Sequence, residues 1–129
     1  MKRPHPHPLA WLALWAAWSA VLWKLSSGPM PVQIGPEIPF FDKICHFGYF
    51  FGGAGLLSAF LFRLSPDRPR WTLILTVCLL AGLAVGRLDE WHQTWVPGRS
   101  GNDIDDFLAD LLGTLAGYWT FRASHRTLK

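Results

Sequence analysis

The sequence predicts an all-α fold, a polytopic membrane protein built as a bundle of four transmembrane helices. Three observations predict it. Half of the 129 residues are hydrophobic and only 16% are charged, against about a quarter in a soluble domain. The apolar residues gather into four segments near the length that crosses a bilayer. The junctions between them carry proline, glycine or charge, which turn a chain back. Residues 9–121 are therefore expected to form one four-helix domain, with a tail at 1–8 and a basic tail at 122–129.

The first segment is Leu9 to Leu25, in which Trp11, Trp15 and Trp18 recur at helical spacing. Lys2 and Arg3 precede it, so a cleaved signal peptide competes with a retained span. The run is long for a signal peptide, rich in tryptophan, and lacks a small-x-small cleavage site, which favours retention. Ser26 to Phe40 is full of proline and glycine and reads as a loop against the membrane surface. The second segment runs from Ile44 to Phe62, and Pro66 and Pro69 mark a tight connection. Trp71 to Val85 is the third, extended by Gly86 to Leu88. The fourth is Phe107 to Phe121, with Asp110 its only charged residue. Asn102 or Asp103 caps it, and Asp105 and Asp106 suit the positive end of its macrodipole.

Gly48 and Gly52, Gly82 and Gly86, and Gly113 and Gly117 form small-xxx-small pairs, one on each of three segments. Such pairs let helices approach closely in lipid. Cys45 and Cys78 lie within apolar segments and read as small hydrophobes. His5 and His7 belong to the tail and carry no signal.

The net charge of +3 and pI near 9.2 do not point to nucleic acid, because the basic residues flank apolar runs and no binding motif accompanies them. They set orientation instead. One side collects Lys2, Arg3, Arg63, Arg68, Arg70, Arg122, Arg126 and Lys129; the other holds only Lys24, Lys43, Arg87 and Arg99. The positive-inside rule then places both termini in the cytoplasm and the stretch around Arg99 outside.

The polar residues converge on that outer side. Asp42, His46, Tyr49 and Gly53 fall at i, i+4, i+7 and i+11, one helix face. Asp106, Asp110, Gly113 and Gly117 repeat the spacing on the fourth segment. Glu90 and Gln93 are neighbours if the third helix continues past Leu88, whereas the face of His92 stays open. One site can thus draw on Asp42, Lys43, His46, Glu90, Gln93, Arg99, Asp106 and Asp110. Asp110 lies a turn deeper than Asp106, where an unpaired carboxylate costs several kcal/mol. Arg99, turned inward by Pro97 and Gly98, is its expected partner, since a guanidinium grips a carboxylate bidentately; Lys43 and His46 compete. His46 is either a general acid or base or a histidine tied to a carboxylate. "DIDDFLAD" resembles aspartate ladders that hold phosphate through magnesium, but capping competes for Asp103 and Asp105. No metal and no cofactor is expected.

Two blocks, "DKICHFGYF" and "EWHQTWVPGRSGNDIDDFLADLLGTLAG", resemble the VanZ-like family of bacterial membrane proteins. The resemblance rests on Asp42, Lys43, His46 and Tyr49, then on Glu90, Gln93, Pro97, Gly98, Arg99, Asp106, Asp110, Gly113 and Gly117, and spans roughly Phe40 to Trp119. The spacing from Arg99 usual among members selects Asp105, whereas the downstream glycines select Asp106; Asp106 is preferred and Asp105 stays open. The resemblance implies a small multi-helix integral membrane protein. Members are linked to resistance to the glycopeptide teicoplanin, without a settled biochemical mechanism. The expected partners are the bilayer and a lipid or cell-wall headgroup. Binding of that headgroup, catalysis on it and a purely structural role are the competing readings.

Overall fold

The computed structural model describes residues 6–29 and 38–128. Four helices follow one another: α1 (Pro8–Ser26), α2 (Phe41–Leu64), α3 (Trp71–Gln93) and α4 (Ile104–Ser124), with a short 3-10 helix at His125–Leu128. No strand occurs among the described residues. All four apolar segments are helices, each longer than its apolar stretch because polar residues join at the ends. His5 and most of the first loop, residues 30–37, lie outside the described residues. His7 does have a role: it caps α1, its ring nitrogen accepting from the Leu9 N–H at 3.3 Å. Pro8 follows it in the first turn, where its missing N–H costs nothing.

The helices run alternately up and down. The closest packing is α2 on α4, then α1 on α2 and α3 on α4. The glycines explain why α4 lies so close to α2. A Cβ at Gly113 would collide with the backbone carbonyl of Phe47, and one at Gly117 with that of Phe51. The other pairs behave differently. Gly52 makes room for the indole of Trp18, Gly82 for Thr114, and Gly86 for the carboxylate of Asp110. Gly48 faces open space, so the Gly48/Gly52 pair is not a helix–helix contact as expected; only Gly52 points at α1.

The apolar core sits at one end. Leu57, Phe62, Ile74, Cys78, Tyr118 and Phe121 form it, with Trp11, Trp15 and Trp71 packed around them. Cys78 is buried there, whereas Cys45 is exposed, so of the two cysteines read as small hydrophobes Cys78 is the one that packs in the core. The opposite end of the bundle, where α1 and α3 finish and α2 and α4 begin, is polar inside.

Burial is inverted relative to a soluble protein. Leu80 is 62% exposed and Leu112 58%, while Glu90 is 0% and Asp110 1% exposed. Leu14, Val21, Leu73 and Trp119 also face outward. Water would oppose that arrangement and lipid favours it. Among the described residues, α1, α2 and α3, of 19, 24 and 23 residues, are long and apolar enough to cross a membrane. At 1.5 Å per residue they measure about 29, 36 and 35 Å, against a hydrocarbon core of about 30 Å. The fourth helix, with three aspartates in its first two turns, is not among them.

Candidate functional site

The polar end is organised by one lysine. Lys43, in the first turn of α2, places its ammonium 2.7 Å from Asp42, 2.9 Å from Asp103 and 2.9 Å from Asp106. A single flexible stem with three donors can gather three carboxylates in this way. Asp103 is the N-cap of α4, its Oδ1 accepting from the Asp105 N–H at 2.8 Å. Its own N–H donates to Glu90 Oε2 at 2.8 Å. Asp103 therefore joins α2, α3 and α4, and its role is wider than the capping the sequence predicts. The Lys43 ammonium and the Asp105 amide hold its carboxyl below the ordinary 3.8.

One turn deeper, His46 Nδ1 lies 2.8 Å from Asp110 Oδ1, both buried. An ionised carboxylate only accepts, so Nδ1 carries the hydrogen and Nε2 is left for another partner. Asp106 Oδ2 is 3.8 Å from Nε2, beyond hydrogen-bond reach. The carboxylate of Asp110 rests in the gap left by Gly86.

From α3, which continues to Gln93, come Asp89, Glu90 and Gln93, all buried. Gln93 Nε2 donates to Asp89 Oδ2 at 2.8 Å. Asp89 is the residue that the sequence reading missed; its i, i+4 spacing to Gln93 was the available signal. Asp106, not Asp105, belongs to the site: it is buried against Lys43, and Asp105 is exposed.

Arg99 corrects the main expectation. It does not meet Asp110. Its Nε donates to the Gly28 carbonyl at 3.0 Å and its Nη2 to the Leu25 carbonyl at 3.1 Å, so it caps the C-terminal end of α1. A cation there meets the orphan carbonyls and negative dipole end of a helix, whereas Asp110 is screened by its own histidine. The turn through Pro97 and Gly98 exists, with Gly98 at φ 80°, but it aims Arg99 at α1. Gly101 then presses the loop onto α3, where a Cβ would lie 2.5 Å from Thr94 N and 2.6 Å from Glu90 O. Asn102 adopts a left-handed φ of 61° and turns the chain into the cap. Tyr49 shares the helix face of His46 yet serves α1: its hydroxyl accepts from Leu22 N–H, and its carbonyl from Trp18 Nε1. His92 stacks on Trp23 with ring centroids 3.9 Å apart.

The sequence bears the same stamp as this geometry. A family model described as VanZ/LLP1 matches residues 6–125, nearly the whole chain. The chain belongs to the VanZ/LLP1 family. No curated protein and no solved structure matches it. In this VanZ/LLP1 member, then, Asp42, Lys43, His46, Glu90, Gln93, Asp106 and Asp110 do converge, joined by Asp89 and Asp103, and Arg99 stands apart as a brace.

Proposed function

We propose that this VanZ/LLP1 member is a four-span protein of the bacterial envelope whose polar end binds the headgroup of a lipid or cell-wall intermediate. The observation that carries the reading is the set of charged side chains buried at one end of a bundle whose outside is apolar. Intramembrane ionisable groups are costly and mark ligand or ion sites. Support for a fourth span comes from Leu108, Leu112 and Trp119, which expose α4 to the same surroundings as the other helices. Its 21 residues reach about 31 Å. Trp91 and Trp95, both exposed and 4.2 Å apart, suit a membrane–water interface at the polar end. The basic asymmetry supports an orientation in the inner membrane with that end outside and both termini in the cytoplasm. An outward site is consistent with the link of the family to resistance to the glycopeptide teicoplanin.

The test is native mass spectrometry of protein released from membranes, comparing wild type with Lys43→Met. The reading predicts a headgroup-bearing molecule that wild type retains and the variant loses, the two being compared at matched helical content because Lys43 also holds three carboxylates. Identical bound lipid in both proteins would argue that the cluster holds nothing.

The His46–Asp110 pair at 2.8 Å favours one second reading, catalysis on the same headgroup with His46 Nε2 as general base. It predicts turnover of an added membrane-lipid extract that His46→Gln abolishes. Retention without turnover would leave binding alone. A purely structural cluster is disfavoured because several of its carboxylate oxygens have no hydrogen-bond partner.

A further inference from the structure

We infer that His46, Asp89 and Glu90 form a binding site for a divalent transition-metal cation of the zinc or manganese type. Each residue brings a ligand atom within 4.8 Å of the other two, and their exposures are 8%, 2% and 0%. The argument rests on which atoms are already committed. Asp89 Oδ2 accepts from Gln93, and Glu90 Oε2 accepts from the Asp103 N–H. Asp89 Oδ1 and Glu90 Oε1 are buried with no hydrogen-bond partner. Each carboxylate is thus held by one oxygen and offers the other. His46 follows the same logic, because Nδ1 is fixed on Asp110 and Nε2 is left to coordinate. A carboxylate behind a ligating histidine is the usual second shell of a metal site.

Charge points the same way. Asp89, Glu90, Asp106 and Asp110 are all buried. Against them stands Lys43, already shared among three aspartates, because a His46 that keeps Nε2 free to coordinate is neutral. Leaving buried carboxylates uncompensated is costly, and a divalent cation offsets the surplus. One imidazole nitrogen with two carboxylate oxygens suits zinc or manganese better than the all-oxygen shells of magnesium or calcium. Three protein ligands also leave a position open. In that position an anionic headgroup, which the acid-rich site would otherwise repel, could bind; this last step rests on the proposed headgroup function, whereas the metal site does not.

The experiment uses the full chain, delipidated in detergent and stripped with chelator, so that it is independent of lipid retention. Zinc and manganese are titrated while bound metal and thermal stability are measured. Saturable binding of one ion per chain with a rise in Tm is expected. Glu90→Gln and Asp89→Asn should weaken binding at least ~10-fold, and Asp110→Asn, acting through His46, by ~10- to 100-fold. The two amide variants should also raise the Tm of the metal-free protein, since they remove uncompensated charge; a merely structural role predicts a fall. Should the variants not fold, manganese bound to the wild type is read by pulsed electron paramagnetic resonance, where coupling to an imidazole nitrogen is expected. Absence of saturable binding, or of nitrogen coupling, overturns the proposal. So does binding that Asp42→Asn abolishes and Glu90→Gln does not, because the ion would then sit on the lysine-held aspartates.

Discussion

Among the described residues, the ionisable side chain that meets Asp110 is His46. Removing either residue leaves the other buried and unsatisfied, so His46→Gln and Asp110→Asn should couple by roughly 0.5–3 kcal/mol in a double-mutant cycle followed by thermal unfolding in detergent. Among the described residues, the Arg99 guanidinium donates to the Leu25 carbonyl at the end of α1 and to the Gly28 carbonyl just beyond it. Arg99→Ala and Asp110→Asn should therefore add within about 0.5 kcal/mol; strong coupling would mean that the arginine reaches the aspartate after all. Asp103 supplies a pH dependence. Its carboxyl is held below the ordinary 3.8 by Lys43 and by the Asp105 N–H. Because the folded value lies under the unfolded one, its contribution is complete above the unfolded value and disappears as pH falls from about 3.8 through the folded value. Stability measured over that acid range should fall less steeply in Asp103→Asn than in wild type, while an unchanged slope would place the acid response elsewhere.

At the level of helices, glycines that look alike in sequence differ in consequence. On α4, Gly113 and Gly117 touch the backbone of α2, which cannot step aside as a flexible side chain can. Either one changed to alanine should cost about 1–3 kcal/mol, the range for overpacking. Gly48→Ala meets nothing within 4 Å and replaces the poorest ordinary helix former with the best, so a gain of up to about 1 kcal/mol is expected. Denaturation in detergent separates the three; equal losses at Gly48 and Gly113 would contradict the packing of α4 on α2. The same close approach positions the site, because α4 carries Asp106 and Asp110 towards the α2 turn that bears Lys43 and His46.

For the whole molecule, the proposed orientation predicts that Ser100→Cys, in a background with Cys45 and Cys78 changed to alanine, is labelled by an impermeant thiol reagent on intact cells. Labelling only after permeabilisation would put the polar end in the cytoplasm. Membrane character, four helices and the gathering of polar residues at one end were all legible in the sequence. They depend on composition, segment length and the i, i+4 register, which are local properties. The family was legible too, through two motif blocks whose spacing survives in any helical arrangement. Pairing was not. Arg99 could reach Asp110 or the end of α1 by chain length alone, and only the turn at Gly98 and the packing of Gly101 on α3 decided for α1. Asp89 was hidden for a related reason: its burial depends on α3 continuing to Gln93 and on the face that α3 turns towards α2 and α4. The choice of Asp106 over Asp105 followed from where Lys43 stands, which belongs to another helix. Sequence by itself determined what each helix is and which residues share its face; tertiary structure decided which faces meet, because partners on separate helices are chosen by how closely backbones pack, and that distance is set jointly by glycines and side chains far apart in the chain.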